Sequence, residues 1–219
     1  MKAHIEPVLD TSAEPAVRGF LHRPEVPDGD ALVLAHGAGS NAQSPVLIAV
    51  AEAFAEAGVI VLRIDLPFRQ SRPHGPPFPA MAARDRQGIR RASEFIRPLT
   101  TRQLFLGGHS YGGRQTTMLV ADEPQLASGL LLLSYPLHPP RKPEQKRDAH
   151  FPKLQRPAFF VHGSRDPFGS PEEMRQAVAL IGARTELLIC EGAGHDLGKG
   201  AQLRDLAREV LKAFQQFIS

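Results

Sequence analysis

Residues 104–114 read LFLGGHSYGGR: a short apolar run breaks into Gly-x-Ser-x-Gly, and helix-compatible sequence follows. This pattern predicts a strand, a sharp turn with Ser110 at its apex, and then a helix. Such a turn forces the serine backbone into a strained conformation, so the positions on either side must be almost free of side chain; both Gly108 and Gly112 satisfy this. We therefore interpret Ser110 as a nucleophile whose hydroxyl stands clear of a β-sheet.

The size and composition fit one globular domain. The chain has 219 residues, 42% of them hydrophobic, and no Ser/Gly-rich or highly charged linker divides it. We predict a single domain over residues 1–219. The first seven residues, MKAHIEP, lack the apolar stretch of a signal peptide, and no run reaches the length of a membrane span. The expectation is a cytoplasmic protein without membrane contact.

Charge and cysteine content argue against several kinds of site. The 26 basic residues nearly balance the 23 acidic ones, which speaks against a nucleic-acid-binding protein. Excess charge is local: the Pro-containing segment Arg141 to Arg156 has six basic and two acidic residues, and suggests a solvated loop or an anion-binding site. Cys190 is the only cysteine, and neither HExxH nor paired histidines mark a metal site. We expect no metal and no organic cofactor.

The order of apolar runs predicts the fold class. Residues 5–9 and 16–22 are typical of a short antiparallel pair, and six apolar runs then alternate with helical stretches. That alternation indicates mostly parallel strands with helices on both faces of the sheet, so the class is α/β. The six runs are Ala31–Ala35, Val59–Ile64, Gln103–Leu106, Gly129–Leu133, Ala158–Val161 and Glu186–Ile189.

Helix boundaries are marked by capping residues. Ser44 is predicted to cap a helix from Pro45 to Gly58, and Ser170 to cap a later one. A carboxyl-terminal apolar stripe predicts a further helix that covers the sheet; it consists of Leu203, Leu206, Val210, Phe214 and Phe217. The Pro-rich connections 65–80 and 135–157 are predicted to be irregular and too short for a large cap domain.

Two loops late in the chain offer an acid and a base. Asp166 and His195 each follow a predicted strand, and catalytic groups in such sheets gather at the carboxyl ends of the strands. His195 would accept the Ser110 proton during attack and return it to the leaving group, while Asp166 would orient the imidazole and stabilise its cation. Glu191 and Asp196 are the alternative candidates for the acid if Asp166 does not serve that role.

The oxyanion formed by attack needs backbone N–H donors. One should be the amide of Tyr111, directly after the nucleophile, and the second should come from the turn HGAG at residues 36–39, with Ala38 favoured. The loop Tyr135 to Phe151 is a further candidate pocket wall, and the arginines of these walls favour a substrate with a carboxylate or phosphate. The other residues expected to bind substrate are Gly37, Gly39, Phe68 and Arg69.

Each of these residues also has a purely structural explanation. Ser110 could be a simple turn residue, Asp166 could only initiate a turn before proline, and His195 could be a loop histidine with satisfied hydrogen bonds. The residues expected to support the site without reacting are His36, His109 and His162, each beside a glycine at a strand end, and Cys190 is expected in the core.

Together the motifs resemble the α/β-hydrolase superfamily, specifically its small dienelactone-hydrolase-like branch. The resemblance covers about residues 15–217 and rests on HGAGSN at 36–41, LPFR at 66–69, the turn at 108–114 and GSRDPFG at 163–169. The order serine, acid, histidine is that of this fold. Eukaryotic relatives of the group include a testis-expressed protein and a subunit of a histone acetyltransferase complex. Dienelactone hydrolases have a cysteine where this chain has Ser110, so their substrate is not implied.

The resemblance implies a serine hydrolase that cleaves a small carboxylic ester or thioester through an acyl-enzyme on Ser110. A noncatalytic interaction protein of the same fold is the alternative, because relatives serve inside protein complexes. A dinucleotide-binding protein is less favoured: GAGSNA at residues 37–42 fits G-x-G-x-x-A, and Asp65 follows 23 residues later. The sequence indicates no particular oligomeric state.

Overall fold

Eight strands form one sheet in the computed structural model, which describes residues 3–219. In chain order the strands are β1 (His4–Asp10), β2 (Val17–Arg23), β3 (Ala31–Ala35), β4 (Ile60–Ile64), β5 (Leu104–His109), β6 (Gly129–Leu133), β7 (Ala158–Gly163) and β8 (Thr185–Cys190). Their spatial order is β1-β2-β4-β3-β5-β6-β7-β8. Pairs β1/β2 and β2/β4 are antiparallel and the others are parallel. The predicted α/β class, with its antiparallel start, is confirmed.

The five central strands are buried along their whole length because helices cover both faces of the sheet. The helices are α1 (Pro45–Glu56), α2 (Pro67–Ser71), α3 (Ala82–Ile96), α4 (Tyr111–Asp122), α5 (Pro171–Val178) and α6 (Gly200–Ile218). Helices α1 and α6 pack on one face, and α3, α4 and α5 on the other. Across residues 3–219 the connections hold no separate cap domain, as predicted.

The carboxyl-terminal stripe packs as predicted against the sheet and α1. The Phe214 ring lies 5.0 Å from that of Phe105 and 5.6 Å from that of Phe54, measured between centroids. One member differs, because Leu206 is only partly buried and Ala207 takes its place in the core.

Three boundary predictions need correction or refinement. Ser44 does precede α1, but its side chain accepts no hydrogen bond from the helix, whose first residue, Pro45, has no N–H to satisfy. The same helix ends at Glu56, and Gly58 follows with a φ of 102°. Ser170 forms the predicted cap as a full capping box with Glu173. The connection 65–80, predicted to be irregular, contains the short helix α2.

The sheet positions the site by bringing several strand ends to one edge. His109, Leu133, Val161 and Gly163 lie at or near the carboxyl ends of β5, β6 and β7, which are joined by parallel pairing, and β8 continues the row. Ser110 follows β5 directly, and the loops with Asp166 and His195 follow β7 and β8. Met1 and Lys2, the start of the segment compared with a signal peptide, lie outside the described residues. Among residues 3–219 no helix has the length and apolarity that a bilayer crossing requires.

Candidate active site

The turn at Ser110 has the strain that its sequence predicts. Ser110 has φ 51° and ψ −117°, a combination that L-residues rarely adopt, and its amide donates to Leu133 O at 2.9 Å. A Cβ added at Gly108 or Gly112 would lie 2.3 or 2.4 Å from Ala35 O. The two glycines therefore let β5 and α4 approach β3 closely, and this approach holds the serine at the sheet edge.

The structure brings Ser110, Asp166 and His195 into one hydrogen-bonded row. His195 Nε2 lies 2.8 Å from Ser110 Oγ, and His195 Nδ1 lies 2.8 Å from Asp166 Oδ2. An ionised carboxylate only accepts, so the Nδ1 position carries the proton and Nε2 can accept one from the hydroxyl. The arrangement can deprotonate the serine during attack and stabilise the imidazolium that results.

Asp166 is fixed by its own loop and by the loop of His195. Its side chain has no exposed surface, and its Oδ1 accepts from Phe168 N at 2.9 Å. A Cβ at Gly163 would lie 2.5 Å from Ala193 O, so this glycine permits the close contact of the two loops. The substitute acids Glu191 and Asp196 are exposed and have no hydrogen bond to the His195 ring within residues 3–219.

The three other strand-end histidines make supporting hydrogen bonds, as predicted. His36 Nδ1 donates to Gly37 O at 2.8 Å while Nε2 accepts from Leu66 N, and burial lowers the pKa of this ring to about 4. His109 Nε2 donates to His195 O at 2.9 Å, and burial lowers its pKa as well. His162 Nε2 donates to Gly169 O at 2.7 Å.

The two amides predicted to bind the oxyanion are both free to donate. Tyr111 is the first residue of α4, where an amide has no partner within the helix, and Ala38 lies in the turn after β3. Among the described residues neither amide donates to another protein group. Ser40 N donates to Gly37 O at 3.1 Å, which closes the turn that holds Ala38.

Arg69 braces this turn instead of facing a substrate. Its guanidinium donates to four backbone carbonyls, those of Ala38, Ser40, Arg72 and Gly75, at 2.7 to 3.1 Å. Four of its five N–H groups therefore donate to the protein, each of its three nitrogens donates at least once, and the residue is almost completely buried. The prediction that Arg69 binds substrate is corrected on this geometry.

Phe68 also needs correction as a pocket wall. Only 1% of it is exposed, and its ring packs against His36 and Tyr111 at centroid distances of 5.4 and 5.8 Å. It belongs to the core under the site. The other predicted walls, Gly37 and Gly39, do line a cavity at Ser110.

Two side chains at the site were not predicted from the sequence. Asp85 on α3 is fully buried, and its carboxylate accepts from Phe68 N at 3.0 Å and from the Tyr111 hydroxyl at 2.7 Å. It sits in the apolar stripe of α3, ahead of Ile89, Ala92 and Ile96, and a charge in that position is a signal that could have revealed it. Phe168 stacks against the His195 ring at 4.2 Å between centroids.

Two cavities meet at Ser110 and share Ala38 and Phe168. The first, which we call the histidine-side cavity, has a volume of about 740 Å³. Its walls include Gly37, Gly39, Val46, His195, Lys199 and Leu203. The second, which we call the arginine-side cavity, has a volume of about 540 Å³, and its walls include Phe78, Tyr111, Arg114, Met118, Pro136 and Arg147. A substrate carbonyl at Ser110 can therefore extend in two directions.

The features that suggested a dinucleotide site have other roles. Asp65 accepts from Ala42 N at 2.8 Å and pairs with Arg18 at 3.0 Å, so its carboxylate is not free for a ribose. The glycines of residues 37–42 form the turn beside Ser110. Cys190 is only partly buried, and burial raises the pKa of its thiol to about 12. Within residues 3–219 no three His, Cys, Asp or Glu side chains are grouped as metal ligands.

Comparison with known proteins gives a consistent result. Residues 28–219 match the family described as an alpha/beta hydrolase domain. Three solved structures resemble the whole chain: a dienelactone hydrolase from Anabaena variabilis, an alpha-beta serine hydrolase homologue from Coxiella burnetii and Est1E from Butyrivibrio proteoclasticus. Their TM-scores are 0.78, 0.75 and 0.72 at 20%, 15% and 17% identity. The alignments cover 99%, 97% and 100% of this chain and 99%, 98% and 99% of those chains.

Proposed function

The chain belongs to the α/β-hydrolase family, and we propose that it is a serine hydrolase that cleaves a carboxylic ester or thioester. The observation that carries this proposal is the row of two 2.8 Å contacts from Ser110 through His195 to Asp166. The substrate is a small molecule, because the two cavities at Ser110 hold a few hundred Å³ each.

The first half of the reaction forms an acyl-enzyme. Ser110 Oγ attacks the ester carbonyl carbon while His195 Nε2 takes the hydroxyl proton, and Asp166 stabilises the resulting imidazolium. The negative charge on the former carbonyl oxygen is bound by the amides of Tyr111 and Ala38. When the carbon–oxygen or carbon–sulfur bond breaks, His195 returns the proton to the departing alcohol or thiol.

The second half regenerates the serine. A water molecule enters where the alcohol left, gives a proton to His195 Nε2 and attacks the acyl carbon. The bond to Ser110 Oγ then breaks, His195 protonates the serine, and the carboxylic acid departs. No external oxidant, reductant or metal is needed for this sequence, because the proton cycles between water, His195 and Ser110.

The position of His195 supports a proposal for which half of the substrate occupies each cavity. The ring that protonates the leaving group must lie beside it, and His195 lines the histidine-side cavity only. The alcohol or thiol therefore occupies the histidine-side cavity, and the acyl group occupies the arginine-side cavity.

The direct test is labelling by a fluorophosphonate probe together with hydrolysis of a panel of esters and thioesters. Wild-type protein should be labelled and should turn over at least one panel member, whereas Ser110→Ala should lose both properties while keeping its circular dichroism spectrum. His195→Ala should lower kcat by several orders of magnitude, because triad members act as a unit. Absence of Ser110-dependent labelling in folded wild-type protein would favour the noncatalytic interaction protein instead.

A further inference from the structure

Two arginines line the arginine-side cavity, and neither forms an ion pair with a carboxylate of the described residues. Arg114 and Arg147 both line it, and the other wall residues are neutral: they include Phe78, Met118 and Pro136, together with Ser110 itself. No carboxylate in residues 3–219 lies within 4.0 Å of either guanidinium. The cavity therefore combines an apolar wall with two unbalanced positive charges.

Arg114 is half-buried, and its side chain makes no hydrogen bond to another group within residues 3–219. Its Nε is buried and has no hydrogen-bond partner within the described part of the chain. A buried N–H without a partner is costly, and in native proteins such a group calls for a ligand, ion or water to complete it. Arg69, by contrast, is held by four carbonyls. The protein itself therefore binds the Arg69 guanidinium, whereas the Arg114 guanidinium is left available to a ligand.

Arg147 is close enough to Arg114 for the two charges to interact. Burial lowers the pKa of Arg147, and the positive charge of Arg114 lowers it further. Its guanidinium makes a long 3.4 Å hydrogen bond to Pro136 O. Burial lowers the pKa of the nearby His150 ring, and Asp122 and Asp148 act on it in the opposite direction. In the described part of the chain, neither carboxylate lies within 4.0 Å of the Arg114 or Arg147 guanidinium. An anion in the cavity would relieve this repulsion and could accept from both guanidinium groups.

Helix α4 places Arg114 about one turn after Ser110. Ser110 is the N-cap of α4 and Arg114 is four residues later, so the two Cα atoms are separated by about 6 Å along the helix axis. An acyl chain of a few methylene groups has a length comparable to this separation, and the shared lining of the arginine-side cavity by Ser110 and Arg114 gives such a chain a path between them. A negative group on the far end of the acyl chain would reach the arginines while the ester carbonyl lies at Ser110.

We propose that the acyl group of the substrate ends in a carboxylate that Arg114 and Arg147 bind, so that the enzyme cleaves half esters or half thioesters of dicarboxylic acids. This assignment rests on the proposed serine hydrolase function and adds the class of acyl group to it. Arg114 and Arg147 act here as binding residues, because they contact the substrate away from the reacting atoms.

The test compares two esters that differ in a single group. Mono-4-nitrophenyl adipate carries a terminal carboxylate where 4-nitrophenyl hexanoate carries a methyl group, and the suberate and octanoate pair extends the reach by two methylene groups. We expect wild-type kcat/KM to be about 10- to 100-fold higher for the anionic member of at least one pair, since a charge-assisted hydrogen bond is stronger than a neutral one. The rate without enzyme is subtracted in each case.

Variants test whether the two arginines cause the preference for the anionic ester. Arg114→Gln and Arg147→Gln should each reduce the ratio of kcat/KM for the anionic ester to kcat/KM for the neutral ester by at least about 10-fold, because each variant removes a charge-assisted hydrogen bond that only the anionic ester can accept. Lys146→Gln is the matched control, because it removes the same charge from the exposed neighbour of Arg147 and should retain the wild-type ratio. A preference that persists in both arginine variants would overturn the assignment.

Two further measurements use only the wild-type protein, so they do not depend on whether a variant folds. The wild-type preference should shrink as salt rises from about 0.05 to 0.5 M, because screening weakens the attraction of a partly exposed anion. Equal wild-type kcat/KM values within both pairs, with Ser110-dependent turnover intact, would refute the carboxylate proposal and leave the hydrolase proposal standing. If no ester is hydrolysed and Ser110 is not labelled, the hydrolase proposal itself fails.

Discussion

The Tyr111 hydroxyl donates a 2.7 Å hydrogen bond to the buried carboxylate of Asp85, and so ties the residue after Ser110 to helix α3. The same carboxylate accepts from Phe68 N at 3.0 Å. One buried acid thus connects the turn that presents the nucleophile with the start of α2. Because the Tyr111 amide is the proposed oxyanion donor, the side-chain contact helps to fix where that amide points.

Removing the hydroxyl should cost stability. In Tyr111→Phe the Asp85 carboxylate loses one donor but stays buried, which should lower the free energy of unfolding by about 1–3 kcal/mol. Urea denaturation at neutral pH measures this change, and kcat for a neutral ester should fall in parallel if the amide moves. An unchanged unfolding midpoint would show that the hydrogen bond contributes nothing to stability.

Asp85 should also make stability depend on pH. Burial raises the pKa of this carboxyl above its ordinary value of 3.8, so the folded state binds the proton more tightly than the unfolded state. The contribution of Asp85 to the free energy of unfolding therefore falls as pH rises from 3.8 to the raised folded-state pKa, and is constant above it.

The check is denaturation of wild type and Asp85→Asn at a series of pH values that begins at about 3.5, below the ordinary carboxyl pKa, and rises through neutral pH. The wild-type free energy of unfolding minus that of the variant should decrease with pH and then level off. In Tyr111→Phe the decrease should extend to higher pH, because the tyrosine hydrogen bond lowers the Asp85 pKa. A difference that increases with pH would contradict the raised pKa.

Asp166→Asn tests the orienting acid of the proposed triad. An amide cannot stabilise the His195 imidazolium, and its N–H group would favour the wrong tautomer of the ring, so kcat should fall by about 10⁴-fold. Glu191→Gln is the control, since Glu191 is an exposed acid in the loop that carries His195 and, within residues 3–219, forms no hydrogen bond to the His195 ring. Comparable activity in the two variants would mean that another acid serves His195.

Arg69→Lys tests the brace of the oxyanion turn. A lysine has one ammonium group and cannot replace the planar fork that reaches Ala38 O, Ser40 O and two further carbonyls. We expect kcat to fall by about 10- to 100-fold with a smaller change in KM, because loss of an oxyanion donor weakens binding of the transition state. Steady-state kinetics beside the exposed control Arg175→Lys measures the effect; an equal rise in KM would point to substrate binding instead.

Much of the fold could be predicted because its signals are local. The apolar runs of β3 and β6 coincide with the observed strands, since a strand covered on both faces needs continuous apolar sequence. The strained turn was equally visible, because Gly108 and Gly112 must lack side chains for the backbone to pass Ala35. The helix cap at Ser44 could not be predicted as reliably, since a capping side chain must also point at a free amide.

The sequence by itself determined the α/β sheet, the turn at Ser110 and the set of residues from which a triad could be built, because backbone strain and periodicity depend on neighbours in the chain. Only the tertiary structure decided that the His195 ring lies within hydrogen-bond distance of Ser110. It also decided that the Arg69 guanidinium donates to four backbone carbonyls, whereas the buried Nε of Arg114 has no partner in the described residues. Hydrogen bonds require donor and acceptor within about 3 Å, and that distance is set by the packing of loops far apart in sequence.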